Sequence, residues 1–334
     1  MFKSQDIAID LGTATILVYT KDKGIVINEP SVVAVETSTG KLMEVGQKAH
    51  DMIGRNPDDI TVIRPMRKGV ISDFDSTMTM IKYILNKACK WSFFKPRVIV
   101  CIPSVITEVE KKAVVDAMTG GGARNAYLIE EPIAAAIGAG LDIAKPAGHL
   151  VIDIGGGTTD IAVISLGSMV VHTSLKIAGD EFDQDIIKYV KKTHNMIIGE
   201  RMAELVKKEI GCVYPQGEQS FMKIKGRSMV SGLPMEVMLS SDEMLDALKE
   251  TADMIVAGVK DVLERTPPEL IGDISVSGAV LTGGGSLIKG LDKLIALETS
   301  LEVKVADDPV SCVVLGTGKA LDEMKTLRKT KRRY

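Results

Sequence analysis

Two stretches of the chain repeat one pattern. Ile7–Tyr19 reads IAIDLGTATILVY, and Val151–Ile164 reads VIDIGGGTTDIAVI. In each, an apolar run ends in an aspartate, a glycine-bearing turn with threonine follows, and a second apolar run leaves the turn. The second runs alternate and are rich in β-branched residues, which predicts a β-hairpin rather than a strand feeding a helix. This excludes the two commonest phosphate loops. Dinucleotide-binding folds and P-loops place a helix directly after their glycines, and neither GxGxxG nor GxxxxGK[ST] fits these stretches. A duplicated hairpin implies a duplicated fold. At 334 residues the chain is also too long for one hydrophobic core, so two lobes of ordinary size are expected.

A glycine-rich hairpin turn presents several backbone N–H groups in a concavity that binds phosphate oxygens, and a Cβ there would block close approach. A carboxylate beside such a turn repels phosphate unless a cation lies between them. Mg²⁺ suits that place, because it keeps several waters and needs few protein carboxylates in addition to phosphate oxygens. The expectation is two facing turns around a polyphosphate, with Asp10 and Asp153 holding hydrated Mg²⁺. A third cluster, Gly278–Gly290 (GAVLTGGGSLIKG), reads as a strand, Gly283, Gly284 and Gly285, and then a helix start with Ser286 as N-cap. A glycine-rich helix start favours anions and lets a ligand pack on the backbone.

These features together match the actin, heat-shock chaperone and sugar-kinase superfamily. Within it the chain closely resembles the MreB-type bacterial actins (MreB, Mbl and MreBH). The stretches that carry the resemblance are IAIDLGTA, GIVINEPSVVA, IRPMRKGVISDF, LIEEPIAAAIGAGL, VIDIGGGTTDIAVISLG, IAGDEFD, IGERMAELVKKEIG, RTPPEL and VLTGGGSLIKGLDKL, from residue 5 to about 320. The resemblance implies an α/β, actin-like (ribonuclease H-like) duplicated two-lobed ATPase fold with a nucleotide cleft. It places 1–28, 67–142 and 317–334 in subdomain IA, 29–66 in IB, 143–178 and 246–316 in IIA, and 179–245 in IIB. By the same resemblance Gly12, Thr13, Ala14 and Thr15 embrace the phosphates of ATP or ADP from one lobe, and Gly155, Gly156, Gly157 and Thr158 from the other. Gly179, Glu204, Lys207, Gly283–Gly285 and Ser286 line the adenosine side. The spacing of Glu204 and Lys207 puts both on one helix face, where an exposed ion pair between them is the plainer expectation.

Hydrolysis of a γ-phosphate needs an in-line water and neutralised charge. Glu131 in LIEEPIAAA matches the family residue that orients the water, with Thr158 as its partner; Glu130 is expected to face elsewhere. An acidic pair at a helix start is also favoured by the helix dipole alone. Two positions depart from the family. Thr15 stands where an asparagine is usual, which offers an amide and tolerates unusual turn dihedrals. Lys68 stands where an aspartate is frequent. Both put nucleotide affinity or turnover in doubt and are compatible with a divergent paralogue.

Lys90–Arg97 (KWSFFKPR) reads as a loop between a helix over Met78–Cys89 and a strand over Val98–Ile102. Trp91, Phe93 and Phe94, flanked by basic residues, suit insertion into a membrane interface, and membrane-bound relatives insert an apolar loop at the matching place. The last ten residues carry six Lys or Arg and no acid, leaving 35 basic against 44 acidic residues in the body. Such a tail would add about 1 kcal/mol per Lys or Arg at an anionic surface. A net charge of −3 argues against nucleic acid as partner. Ser240–Arg265 reads as a long amphipathic core helix with Leu245, Leu248, Ala252, Ile255, Val259 and Val262 on its apolar stripe, stopped by Pro267. No CxxC or histidine spacing suggests another metal site, no apolar run approaches about 18 residues, and a strand begins too early for a signal peptide. The expectation is a cytoplasmic protein, peripheral on the inner face of the plasma membrane.

The resemblance then implies an ATP-binding, filament-forming protein that assembles on that membrane, hydrolyses ATP slowly and governs cell shape. Its expected partners are further copies of itself, paralogues, and cell-shape and wall-synthesis membrane proteins. The alternatives are a small-molecule kinase of the same superfamily, for which no sugar-binding signature is visible, and a weakly hydrolysing paralogue that co-polymerises.

Overall fold

The computed structural model describes residues 6–89 and 95–331, with residues 322–331 described by backbone alone. Both repeated stretches are hairpins. β1 (Asp6–Leu11) pairs antiparallel with β2 (Thr15–Thr20), and β2 with β3 (Gly24–Pro30). The chain then forms a three-stranded patch of β4 (Val33–Glu36), β5 (Leu42–Val45) and β6 (Ile60–Ile63) with helix α1 (Gln47–Asp51). A short hairpin, β7 (Met66–Arg67) and β8 (Val70–Ile71), returns it to the first sheet. Helix α2 (Phe74–Ala88) follows, then β9 (Arg97–Ile102), α3 (Glu108–Gly120), β10 (Asn125–Glu130) and α4 (Glu131–Gly138). β9 lies parallel to β1 and β10 parallel to β9, which gives the order β10-β9-β1-β2-β3.

The second lobe repeats this plan. β11 (His149–Ile154), β12 (Thr159–Ser165) and β13 (Ser168–Leu175) form an antiparallel meander. α5 (Gly179–His194), β14 (Met196–Ile197), α6 (Glu200–Ile210), β15 (Phe221–Ser228) and β16 (Pro234–Ser240) make a second small unit. The chain continues through α7 (Ser241–Glu264), α8 (Pro268–Ser277), β17 (Ala279–Thr282), α9 (Leu291–Thr299), β18 (Val303–Val305) and α10 (Cys312–Lys331). The sheet order is β13-β12-β11-β17-β18. Each sheet therefore joins a three-stranded meander to two parallel strands.

Strand alternation decides what each face buries. Ile7 and Ile9 face α2 and α3, while Ala8 and Ile99 turn to the opposite side, where Leu321 of α10 packs. In the second lobe Ile152, Ile161 and Val163 face α5 and α7, while Val151, Ala162 and Ile164 turn toward α4 and Val313 of α10. Helices α4 and α10 thus form a middle layer between the two sheets. They cross so closely that a Cβ on Gly138 would overlap the Cys312 carbonyl, and one on Gly316 the Ala134 carbonyl.

One helix start differs from the sequence reading. α2 begins at Phe74 rather than Met78, because Asp73 caps it by accepting from Ser76 N–H at 2.8 Å. α7 is closed by a capping box in which Ser240 and Glu243 bond reciprocally. Its stripe buries Met244 with Leu248, Ala252, Ile255, Val259 and Val262, while Leu245 is only half-buried. The Trp91, Phe93 and Phe94 loop lies outside the described residues. Among those described, no helix is long and apolar enough to cross a membrane.

Candidate functional site

The strand ends of both sheets open into one cavity of about 910 Å³, lined by the two hairpin turns, the β17 glycines and α6. Its floor is the contact between the turns. A Cβ on Gly156 would stand 2.6 Å from the Ala14 Cβ, and one on Gly157 would stand 2.5 Å from Thr13 Oγ1 and 2.8 Å from Lys68 N. The glycines are thus required by close approach, since none of the three in the second turn has a positive φ. Each turn is held from behind. Ser31, fully buried, donates its hydroxyl to Gly12 O at 2.6 Å and its N–H to Ala14 O at 2.9 Å. The first N–H groups of α5 do the same for the second turn: Gly179 donates to Gly155 O at 3.1 Å and Asp180 to Gly156 O at 2.7 Å. Ser31, in the NEPSVVA stretch, was not singled out from sequence.

Asp10 and Asp153 both line the cavity. Burial pushes the carboxyl of Asp10 up to about 7, with the charge of Asp153 adding to it. Burial likewise raises Asp153 to about 7, against a 2.7 Å hydrogen bond from Thr282 Oγ1. Two enclosed carboxylates with no basic partner among the described residues that line the cavity beside them are a set that a divalent cation would relieve. Among the described residues no group of three or more His, Cys, Asp or Glu forms a metal cage. A cation would therefore rest on these two oxygen donors, phosphate and water, which fits Mg²⁺.

The sign of these shifts makes a prediction. A carboxyl whose folded value is raised contributes stability that is fully present below its unfolded value, near 4, and is lost as pH rises through about 7. Without nucleotide, the protein should melt at a lower temperature at pH 8 than at pH 5.5. Asp153→Asn should flatten that slope, raise the pH 8 melting temperature by a few degrees and weaken Mg²⁺-dependent nucleotide binding. A steeper slope in the variant, read by differential scanning fluorimetry, would contradict this.

Glu131 is the first residue of α4 and faces the cavity, while Glu130 supplies the N-cap position and does not line it. Enclosure by protein raises the Glu131 carboxyl well above the usual range, helped by the charges of Asp160, Asp10 and Asp153. Thr158 closes the opposite wall. Its methyl lies 2.7 Å from where a Cβ on Gly69 would be, and Gly69 N–H donates to Thr13 Oγ1 at 3.0 Å.

The departures from the family take definite form. Thr15 opens β2 opposite Pro30 in extended conformation, so the dihedral tolerance of an asparagine is not needed at this position. Lys68 does sit at a positive φ of 49°, a left-handed region where Asp and Asn are several-fold enriched over long side chains.

On the adenosine side Glu204 and Lys207 both line the cavity, but they do not pair with each other. Lys207 Nζ donates to Gly179 O and to Asp183 Oδ2, both at 2.8 Å. Glu204 accepts from Lys208 at 2.7 Å and faces His50 Nε2 at 3.7 Å. Burial holds Asp183 up at about 6, and its other oxygen is enclosed without a partner. Gly283 has a φ of 78°, and a Cβ there would overlap the Ile154 carbonyl. Ser286 is not a helix N-cap. A 3-10 turn over Gly284–Leu287 intervenes, Ser286 Oγ donates back to Gly283 O at 2.6 Å, and α9 starts at Leu291.

A set of contacts across the cleft mouth had no sequence signal. Arg201 of α6 donates to Asp51 O at 2.9 Å and to Asp51 Oδ1 at 3.3 Å, and Arg64 stands 3.5 Å from Glu200. These exposed pairs are worth at most about 1 kcal/mol each. Arg201→Ala should therefore speed release of a fluorescent nucleotide by about fivefold or less. No change in stopped-flow release would mean the latch does not hold the cleft.

The sequence model of the MreB/Mbl protein family matches residues 4–329. The cell shape-determining protein Mbl of Bacillus subtilis (strain 168) is 50% identical over 329 residues, spanning 98% of this chain and 99% of that one. The cell shape-determining protein MreB of Escherichia coli (strain K12) is 48% identical over 325 residues, 96% and 94% of the two chains. The crystal structure of MreB5 of Spiroplasma citri bound to ADP matches with a TM-score of 0.93 at 40% identity over 100% of both chains. The same protein bound to AMPPNP matches with a TM-score of 0.94 over 98% and 99%.

Proposed function

The chain belongs to the MreB/Mbl family and has its actin-like fold, and on that premise we propose that it is an ATP-binding, filament-forming bacterial actin that governs cell shape. The observation that carries the reading is the floor of the cleft, where two glycine turns touch beside a pair of enclosed, uncompensated carboxylates. A triphosphate with a divalent cation satisfies both at once. The ADP and AMPPNP bound by MreB5 of Spiroplasma citri support the ligand class, and the names of the Mbl and MreB relatives support the cellular role.

In the proposed mechanism backbone N–H groups of the two turns, Gly12–Thr15 and Gly156–Thr158, bind the phosphates from either side, while Gly155 N–H closes its own turn on Thr158 O at 2.9 Å. Asp10 and Asp153 would hold Mg²⁺, which supplies neutralisation of phosphate charge. Glu131 accepts a hydrogen bond from the attacking water, and Thr158 fixes it from the other wall. A carboxylate in that place orients better than it deprotonates, so turnover is slow. Lys68 at its left-handed position favours a second form of the reading, a paralogue with weak hydrolysis that co-polymerises with relatives.

Assembly is proposed on the inner face of the cytoplasmic membrane, organising cell-wall synthesis, with Trp91, Phe93 and Phe94 entering the lipid interface. The test is electron microscopy of the full chain with Mg-ATP on anionic liposomes, beside a variant with those three residues changed to alanine. Filaments on lipid for the parent and off lipid for the variant are expected. Absence of filaments at every concentration, with nucleotide bound, would overturn the polymer reading.

A further inference from the structure

Asp160 is fully buried in β12, yet it carries a carboxyl group and lies directly opposite Asp153 in the strand register. Like charges opposed across a strand pair are unfavourable, so packing alone gives no reason for a carboxylate here. Its hydrogen bonds point to a reason. Asp160 Oδ1 accepts from Ser104 N–H at 2.7 Å and from Ser104 Oγ at 2.6 Å, and Oδ2 accepts from Ser174 Oγ at 3.2 Å. Ser174 is its neighbour on β13, but Ser104 belongs to the other lobe, in the loop that leaves β9. β9 lies beside β10, with Ile102 opposite Glu130, and Glu131 follows directly. Pro103 and Thr158 converge within 2.8 Å of the same point beside Gly69. The loop that Asp160 grips is therefore the one that flanks the hydrolytic wall.

We infer that Asp160 is a positioning residue: by holding Ser104 across the lobe junction it sets the spacing between Glu131 on one lobe and Thr158 on the other. Asp160 is not among the residues that line the cavity, and it acts through the loop. The inference rests on the hydrolytic reading above. A misplacement of about 1 Å is enough to lower turnover roughly a hundredfold, whereas nucleotide held by the glycine turns should bind as before.

The test is phosphate release by the full chain against Mg-ATP concentration, for the parent, Ser104→Ala, Asp160→Ala, Asp160→Asn and the Ser104→Ala/Asp160→Ala pair. Asp160→Ala should lower kcat roughly a hundredfold and Ser104→Ala roughly tenfold, with KM within about twofold of the parent. The pair should be no worse than Asp160→Ala alone, because both remove one contact. Asp160→Asn keeps an acceptor for Ser104 and should restore turnover to within about threefold of the parent. Ser104 is only half-buried, so its variant folds even if Asp160→Ala does not, and melting curves identify that case. Unchanged kcat in Ser104→Ala, a rise in KM in place of the fall in kcat, multiplicative losses in the pair, or an asparagine as poor as alanine would each overturn the inference. A parent without turnover would overturn the hydrolytic reading itself, and the inference with it.

Discussion

Replacing Glu131 by glutamine should lower ATP turnover by roughly 10²-fold or more while leaving nucleotide affinity within a few-fold of the parent. General-base and water-orienting carboxylates contribute about 10²–10⁴-fold, and glutamine keeps the size but loses the charge-assisted acceptor. Binding is expected to survive because the contacts proposed to hold phosphate are backbone groups of the two turns, which Glu131 does not support. The nucleotide-free variant should also be slightly more stable, since an enclosed carboxyl raised by Asp160, Asp10 and Asp153 becomes neutral. Phosphate release at saturating Mg-ATP, beside calorimetric titration with a non-hydrolysable analogue, separates the two effects. Turnover within threefold of the parent would remove Glu131 from the chemistry.

Gly157→Ala should act in the opposite way and abolish tight binding, with affinity falling roughly a hundredfold. Its single new carbon would stand 2.5 Å from Thr13 Oγ1 and 2.8 Å from the Lys68 backbone nitrogen. Neither atom can retreat cheaply. Thr13 is buried and accepts from Gly69, and Lys68 is backbone already in a left-handed turn. The two turns must separate, and a triphosphate can no longer touch both. Gly155→Ala is the internal control, because a Cβ there meets only Thr158 O, at 3.4 Å. Equal affinities for the two variants in calorimetric titration would show that closure of the turns does not set binding.

What could be read from the chain followed the range of each interaction. The hairpins were legible because alternation is local, and the Asp10 and Asp153 pair followed once both hairpins were seen to be copies. Ser286 was misread for the same reason: a serine after glycines looks like an N-cap, and only the fold reveals that the chain first makes a 3-10 turn. The Arg201 and Asp51 contact joins residues 150 positions apart on exposed surfaces, so no pattern announces it. Asp160 was passed over because one polar residue in an alternating strand reads as a solvent-facing position, and its partner lies in the other lobe. The resemblance to a known family supplied Glu131, Glu204 and Lys207, which spacing alone could not have assigned.

The crossing of α4 and α10 has a mechanical consequence. Backbone meets backbone at Gly138 and Gly316, and such a joint has no side-chain cushion in which to slide. The middle layer is therefore expected to act as a fulcrum, about which the lobes swing more readily than they shear. On that expectation, a sub-ångström change at the phosphate turns would be enlarged at the tips of the two small units. Gly316→Ala would wedge the joint open and alter the swing without touching the nucleotide. X-ray scattering of the parent and the variant, with and without ligand, would detect that change as a different radius of gyration.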